Sequence, residues 1–284
     1  MTEKIIKIDH VEYYTLYEQP KNASPDAPLV VLCHALMANH HMYDATVPAL
    51  HSAGYRTLRY DHVGHGRSPK PPSELLTGPL FHFDDMTKHM RRIVQAVTGD
   101  TKISAIIGCS MGGVLAVRYT MLFPGEVQTV LSLDAPGMTA LEVAKPQWTD
   151  RIMMFEKDVK NGTDELARAT VQRWLPGDEE RSKKARELAL LQTKSCSLDG
   201  YKVCADAIRD YDYTDQLSTI KGTRVLVLAG SRDPAIGPKE VLEDAARRIP
   251  GSKYIWLEGA GHLPPLHSPE EFNKITLDFL GSHK

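Results

Sequence analysis

Short apolar runs alternate with amphipathic stretches over the first half of the chain. Lys4 to Ile8 and Val11 to Glu18 read as an opening strand pair, and Leu29 to Cys33, after a loop from Pro20 to Pro28, reads as a buried strand. Then come a helical pattern from Tyr43 to Ala53, a strand from Tyr55 to Tyr60, a helix from Phe83 to Val97, and strands at Ile103 to Ile107 and Thr129 to Leu133. A further helix separates these last two. Strands apolar on both faces and alternating with helices predict an α/β fold with a mostly parallel sheet covered on both sides. From Ala135 to about Leu217 the strand pattern stops and helical stretches such as Ile152 to Phe155 and Leu166 to Val171 take over. Strands return at Arg224 to Ala229 and Tyr254 to Glu258. The pattern predicts a core of residues 1–134 and 218–284, interrupted by a helical cap at 135–217.

Composition narrows the function classes. With 284 residues, 42% hydrophobic and 25% charged, the chain can bury a large core as an ordinary soluble protein. A net charge of −2 leaves no basic footprint for nucleic acid or an anionic membrane. No apolar run is long enough to span a bilayer, and Lys4, Lys7 and Asp9 stand where a signal peptide needs apolar residues, so the expected location is the cytoplasm. The four cysteines, Cys33, Cys109, Cys196 and Cys204, show no C-x-x-C spacing and are expected to be reduced thiols. Cys109 beside the candidate nucleophile is expected to point into the fold.

The chemistry concentrates at Gly108-Cys109-Ser110-Met111-Gly112, where an apolar strand ends in G-x-S-x-G and a helical pattern begins at once. This is the spacing of a nucleophile elbow, whose turn is too tight for side chains at the flanking glycines. It exposes the serine hydroxyl at a helix N-terminus, where free N–H groups favour a developing oxyanion. A serine needs a base, and in hydrolases with this elbow an acid and then a histidine follow in chain order. Here Asp233 follows one late strand and His262 another, at the strand ends where open α/β sheets place their ligands. Asp134, ending an earlier strand on the same edge, is the alternative acid.

At these residues the chain resembles the α/β-hydrolase superfamily over nearly its whole length, and most of all the 3-oxoadipate enol-lactonase type. The likeness rests on Arg59 to Ser68 after a strand, the loop Lys70-Pro71-Pro72, and the elbow in the form G-x-S-M-G-G. The resemblance implies an eight-stranded α/β-hydrolase sheet with the inserted cap, and an oxyanion hole built from the Leu36 and Met111 N–H groups. It also implies a serine hydrolase cleaving an ester or lactone of a small molecule through an acyl-enzyme. The chain departs from the family where Ala35 stands in place of the usual glycine of the oxyanion loop, which requires a negative φ there.

Trp148, Met154 and His34 are the candidate substrate contacts, His34 alternatively bracing the oxyanion loop by hydrogen bonding. Met153, Phe155 and Trp174 could line the same cavity or be plain core. An enol-lactone carries a carboxylate, and Arg67, Arg151, Arg168 and Arg173 are the open choices for its cationic anchor. Twelve histidines, with His40-His41 and His62 with His65 the densest, show no helical metal-ligand pair, and no phosphate-binding glycine motif occurs. Neither a metal nor a cofactor is expected. A lactonase for larger aromatic macrolactones, a lyase and a hydrolase-like ligand receptor are the alternatives, and the chain is expected to act as a monomer or homodimer.

Overall fold

The computed structural model describes residues 1–21, 23–24, 26–233 and 239–281. Eight strands form one sheet: β1 (Thr2–Ile8), β2 (Val11–Glu18), β3 (Leu29–Cys33), β4 (Arg56–Tyr60), β5 (Ile103–Cys109), β6 (Val127–Leu133), β7 (Arg224–Gly230) and β8 (Lys253–Leu257). Their order is β1-β2-β4-β3-β5-β6-β7-β8. β2 is antiparallel to both β1 and β4, and every later pairing is parallel.

The helices are α1 (Val47–Ser52), α2 (Ser73–Thr77), α3 (Phe83–Thr98), α4 (Met111–Leu122), α5 (Lys145–Asn161), α6 (Glu165–Trp174), α7 (Glu180–Thr193), α8 (Leu198–Ile208), α9 (Lys239–Arg248), α10 (Pro264–His267) and α11 (Pro269–Gly281). Every residue of β3 is buried, so helices cover the sheet on both faces. The helix expected from Tyr43 to Ala53 is shorter than its pattern: a 3₁₀ turn at His40–Tyr43 precedes α1. Pro48 in the first turn sets that start, where a missing N–H costs no hydrogen bond.

Register brings the site together. Cys33 pairs with Gly108, Cys109 with Leu133, Leu133 with Leu228, and Gly230 with Leu257. The residues that follow these strands therefore emerge at one edge of the sheet: 34–37, Ser110, Asp134, 231–233 and 258–262.

Between β6 and β7 the chain runs through α5, α6, α7 and α8. The neck of this insertion is a pair of crossing segments, with Thr139 bridging Asp212, the Ala140 N–H donating to Tyr211 O (2.8 Å) and the Tyr213 N–H donating to Met138 O (2.7 Å). The far end is also held, since the Ser197 N–H ahead of α8 donates to Gly64 O at 2.8 Å. Among the described residues no helix is long and apolar enough to cross a membrane.

Candidate active site

Ser110 sits at φ 55°, ψ −118°, a conformation that L-residues rarely occupy and that persists only where surrounding structure enforces it. The enforcement is local. A side chain at Gly108 would collide with the Gly112 carbonyl, and one at Gly112 with the Cys33 carbonyl, so both flanks of the elbow must be glycine. The Ser110 N–H donates to Leu133 O at 2.7 Å, tying the turn to β6.

The oxyanion loop takes a shape compatible with Ala35. The positive φ falls on Met37 (63°), and Ala35 is not among the left-handed residues. Leu36 and Met111 line the same cavity as Ser110. Met111 opens α4, so its N–H has no carbonyl one turn back to bond.

Beneath this loop lies a stack of three histidines, of which the reading from sequence left His34 between ligand and brace. His34 Nδ1–H donates to Ala35 O (2.7 Å), while its Nε2 accepts the His62 N–H (2.9 Å). His62 Nε2–H donates to His34 O (3.1 Å), and His65 Nδ1–H donates to Val63 O (2.9 Å). His34 is fully buried and absent from the cavity wall, so it braces the loop and touches no ligand there. Burial pushes all three down, His62 to about 3 and His65 to about 4, and neighbouring histidines add to the effect at His34 and His62, which keeps the stack neutral.

The sign of the linkage follows. The unfolded chain binds protons at these imidazoles below its ordinary pKa of ~6.5 and the folded chain does not, so stability falls as pH drops from about 6.5 to 4. Each histidine shifts the folding equilibrium roughly tenfold per pH unit in that window. His41, raised by its hydrogen bond to Asp44, and Asp134, raised by burial and by Asp233, act in the opposite sense and offset part of this loss. Urea unfolding is expected to show a clearly lower midpoint at pH 5 than at pH 7; an equal or higher midpoint contradicts the neutral stack.

His262 Nδ1–H donates to Asp233 Oδ2 at 2.5 Å, which leaves Nε2 free to act as a base. The His262 N–H donates to Trp174 O (2.8 Å), and the Trp174 ring stacks on the imidazole with centroids 5.4 Å apart. The insertion therefore holds the histidine from above. Ser110 and His262 face one cavity of about 300 Å³, whose wall is mostly apolar.

Asp134, the alternative acid, is fully buried beside them, and single ligand-type atoms of Asp134, Asp233 and His262 lie within 4.8 Å of one another. The 2.5 Å between Asp233 and His262 is the separation of a hydrogen bond. Two donors of a tetrahedral ion with bonds of ~2.0–2.1 Å stand about 3.3 Å apart, so this geometry suits a proton and not a shared ion. Cys109 is buried in β5 with its thiol aimed at His262 O (3.3 Å), and burial holds it well above the ordinary thiol range, away from thiolate chemistry.

The insertion supplies the rest of the wall. On α5 the inward stripe runs through Gln147, Trp148 and Arg151, and on α6 through Thr170, Arg173 and Trp174. Trp148 is therefore where expected. Met154 is not: the α5 stripe passes on to Phe155, which closes against Tyr201, and leaves Met154 on the flank, 38% exposed. Met153 also faces outward.

Of the four candidate anchors, Arg67 pairs with Glu3 and Arg168 with Asp164, both away from the cavity. Arg151 and Arg173 line it. Arg151 lies over the Trp148 ring (4.7 Å), and Arg173 has a buried Nε with no hydrogen-bond partner. Burial, with the charge of Arg151 beside it, pushes Arg173 down to about 10. No carboxylate lines the cavity among the described residues. Tyr201 and Tyr211, which complete the wall, were not singled out from sequence; Tyr201 lies on α8 and Tyr211 at the neck, and no local spacing marks either one.

The family model described as "alpha/beta hydrolase fold" matches residues 28–269. 3-Oxoadipate enol-lactonase 2 of Acinetobacter baylyi is 26% identical over 250 residues, covering 87% of this chain and 86% of its own. AB hydrolase superfamily protein YisY of Bacillus subtilis is 24% identical over 261 residues, covering 89% and 91%. The crystal structure of the enol-lactonase from Burkholderia xenovorans LB400 superposes with a TM-score of 0.82 at 23% identity, covering 98% of this chain and 100% of that one. On the sheet order, the elbow and this match across most of its length, the chain belongs to the α/β-hydrolase fold family.

Proposed function

We propose that the protein is a serine hydrolase that cleaves an ester or lactone of a small molecule carrying an anionic substituent, through an acyl-enzyme on Ser110. The observation that carries this reading is the strained elbow serine facing the same cavity as an imidazole that donates to a buried carboxylate. In the proposed reaction Ser110 Oγ attacks the carbonyl carbon while His262 Nε2 takes its proton, and Asp233 stabilises the imidazolium. The Leu36 and Met111 N–H groups hold the oxyanion, each such donor contributing about 3 kcal/mol to the transition state. His262 then protonates the leaving oxygen. A water deprotonated by the same nitrogen attacks the acyl carbon, and Ser110 leaves with the proton returned to it.

The anionic substituent is inferred from Arg151 and Arg173, two guanidinium groups on the wall of an apolar cavity that no carboxylate lines among the described residues. A carboxylate reaching both would satisfy the orphaned Arg173 Nε and relieve their mutual repulsion. The enol-lactonases among the relatives fit this reading by the acid named in their substrate.

The test compares steady-state hydrolysis of a monoaryl ester of glutaric acid with that of the neutral aryl valerate. Sustained turnover with a higher kcat/KM for the anionic ester is expected, and Arg173→Gln should reduce that preference roughly tenfold to hundredfold, as loss of a charge-assisted hydrogen bond does. A single burst with no cycling would point instead to a ligand receptor, and an unchanged preference in the variant would remove the anionic part of the proposal.

A further inference from the structure

Asp134 is a buried carboxyl group at the centre of the site for which the reaction above has no task. It follows β6 at φ 46°, its N–H donates to Leu228 O (2.8 Å), and its Oδ1 accepts the Gly230 N–H (2.7 Å). Among the described residues no donor reaches its buried Oδ2. Beside this carboxyl stands a second one, Asp233, with an oxygen of each within 4.8 Å of the other.

Two carboxylates this close and away from water resist ionising together, because like charges at that range repel strongly in a low-dielectric site. One proton must therefore lie between them. Asp233 already accepts the Nδ1–H of His262 at 2.5 Å, a bond that gains from a full negative charge. Among the described residues Asp134 accepts one backbone N–H. Among the described residues the other titratable groups acting on this pair include the Cys109 thiol from β5, the Tyr254 hydroxyl from β8 and the Arg173 guanidinium from α6. Burial keeps the thiol and the phenol uncharged, so neither can neutralise a second carboxylate. Arg173 attracts Asp233 electrostatically, which further favours the charge residing there.

We propose that Asp134 is a positioning residue: it carries a proton and donates it from Oδ2 to the Asp233 carboxylate, which in turn accepts Nδ1–H from His262. The two Asp134 bonds, one to Gly230 and one to Asp233, tie the end of β7 and the acid beyond it to β6. Burial and the neighbouring Asp233 charge both push Asp134 well above the ordinary carboxylate range, in accord with this assignment. The donated bond also spreads the charge of Asp233, which moderates how strongly that carboxylate stabilises the imidazolium.

The inference rests on the serine-hydrolase reading only for its kinetic consequences, and its direct test does not need turnover. Infrared difference spectra of ¹³C-aspartate-labelled protein at pH 7 should contain the carbonyl stretch of a protonated, buried carboxylic acid. Asp134→Asn should lack it. Asparagine tolerates the same positive φ and supplies an N–H in place of the O–H, so this variant is expected to fold. With an ester substrate, Asp134→Asn should lower kcat only a few-fold. Asp134→Ala should lower kcat roughly tenfold to hundredfold at little change in KM, and should raise the acid limb of the pH–kcat/KM profile by up to about one pH unit. A spectrum with no such band in the wild-type protein overturns the proposal whether or not any ester is cleaved. So does an Asp134→Asn variant as damaged as Asp233→Asn.

Discussion

Ser110→Ala is expected to lower kcat for ester hydrolysis by about a millionfold, the scale seen when the nucleophile of a hydrogen-bonded triad is removed. The residual rate would come from the oxyanion donors and from binding alone. The loss should fall on kcat and leave KM within a few-fold, because alanine removes a single oxygen from the cavity wall. Its fold should survive, since the strained backbone at residue 110 is enforced by packing of Gly108 against the Gly112 carbonyl and of Gly112 against that of Cys33, and not by the hydroxyl. The check is a pair of measurements on one preparation: initial rates over a wide enzyme concentration range, and a thermal unfolding curve. A variant that keeps more than a trace of ester cleavage, with a wild-type melt, removes Ser110 from the reaction.

Asp233→Asn is expected to be the second-largest loss, about ten-thousandfold in kcat. Asparagine would present an N–H or a neutral oxygen to His262 Nδ1, which favours the wrong tautomer and leaves the imidazolium without a counter-charge. The corresponding exchange at Asp134 costs only a few-fold, because there the native group is already neutral and serves as a donor. The two variants therefore separate by about three orders of magnitude. Equal losses, or the reverse order, would assign the acid to the end of β6. The comparison needs both purified variants, one aryl ester, and kcat measured across the pH range in which the imidazole titrates.

Much of this architecture was legible in the amino-acid order because burial writes a short period into it. β3 begins and ends where its apolar run does, and β5, β6 and β7 exceed their runs by one or two residues. The sheet edge was legible too, since Ser110, Asp233 and His262 each follow an apolar run and a parallel sheet sends all such ends one way. α9 and α11 carried an amphipathic signal, with Leu242 and Ala246 buried in one and Phe272, Thr276 and Phe279 in the other, but they were not read as helices.

What the order of residues withheld depends on contacts between distant segments. Met154 and Phe155 are neighbours in one helical stretch, and only the position of Tyr201 decides which turns inward. Four arginines were equivalent until Glu3 and Asp164 claimed two of them. The roles of Asp233 and Asp134 divide on which carboxylate the imidazole of His262 reaches. Residues 234–238, which follow Asp233 in the sequence, lie outside the described residues, as do 22, 25 and 282–284.

The measurement that bears most directly on the central claim is covalent labelling with an aryl phosphonate, followed by mass spectrometry of the intact chain and its peptides. The account predicts one phosphonyl group per chain, carried by the peptide containing Ser110, with release of the aryl alcohol in equal amount and no labelling of the His262→Ala variant. Label on a different residue, or an unlabelled chain that still cleaves esters, would contradict it.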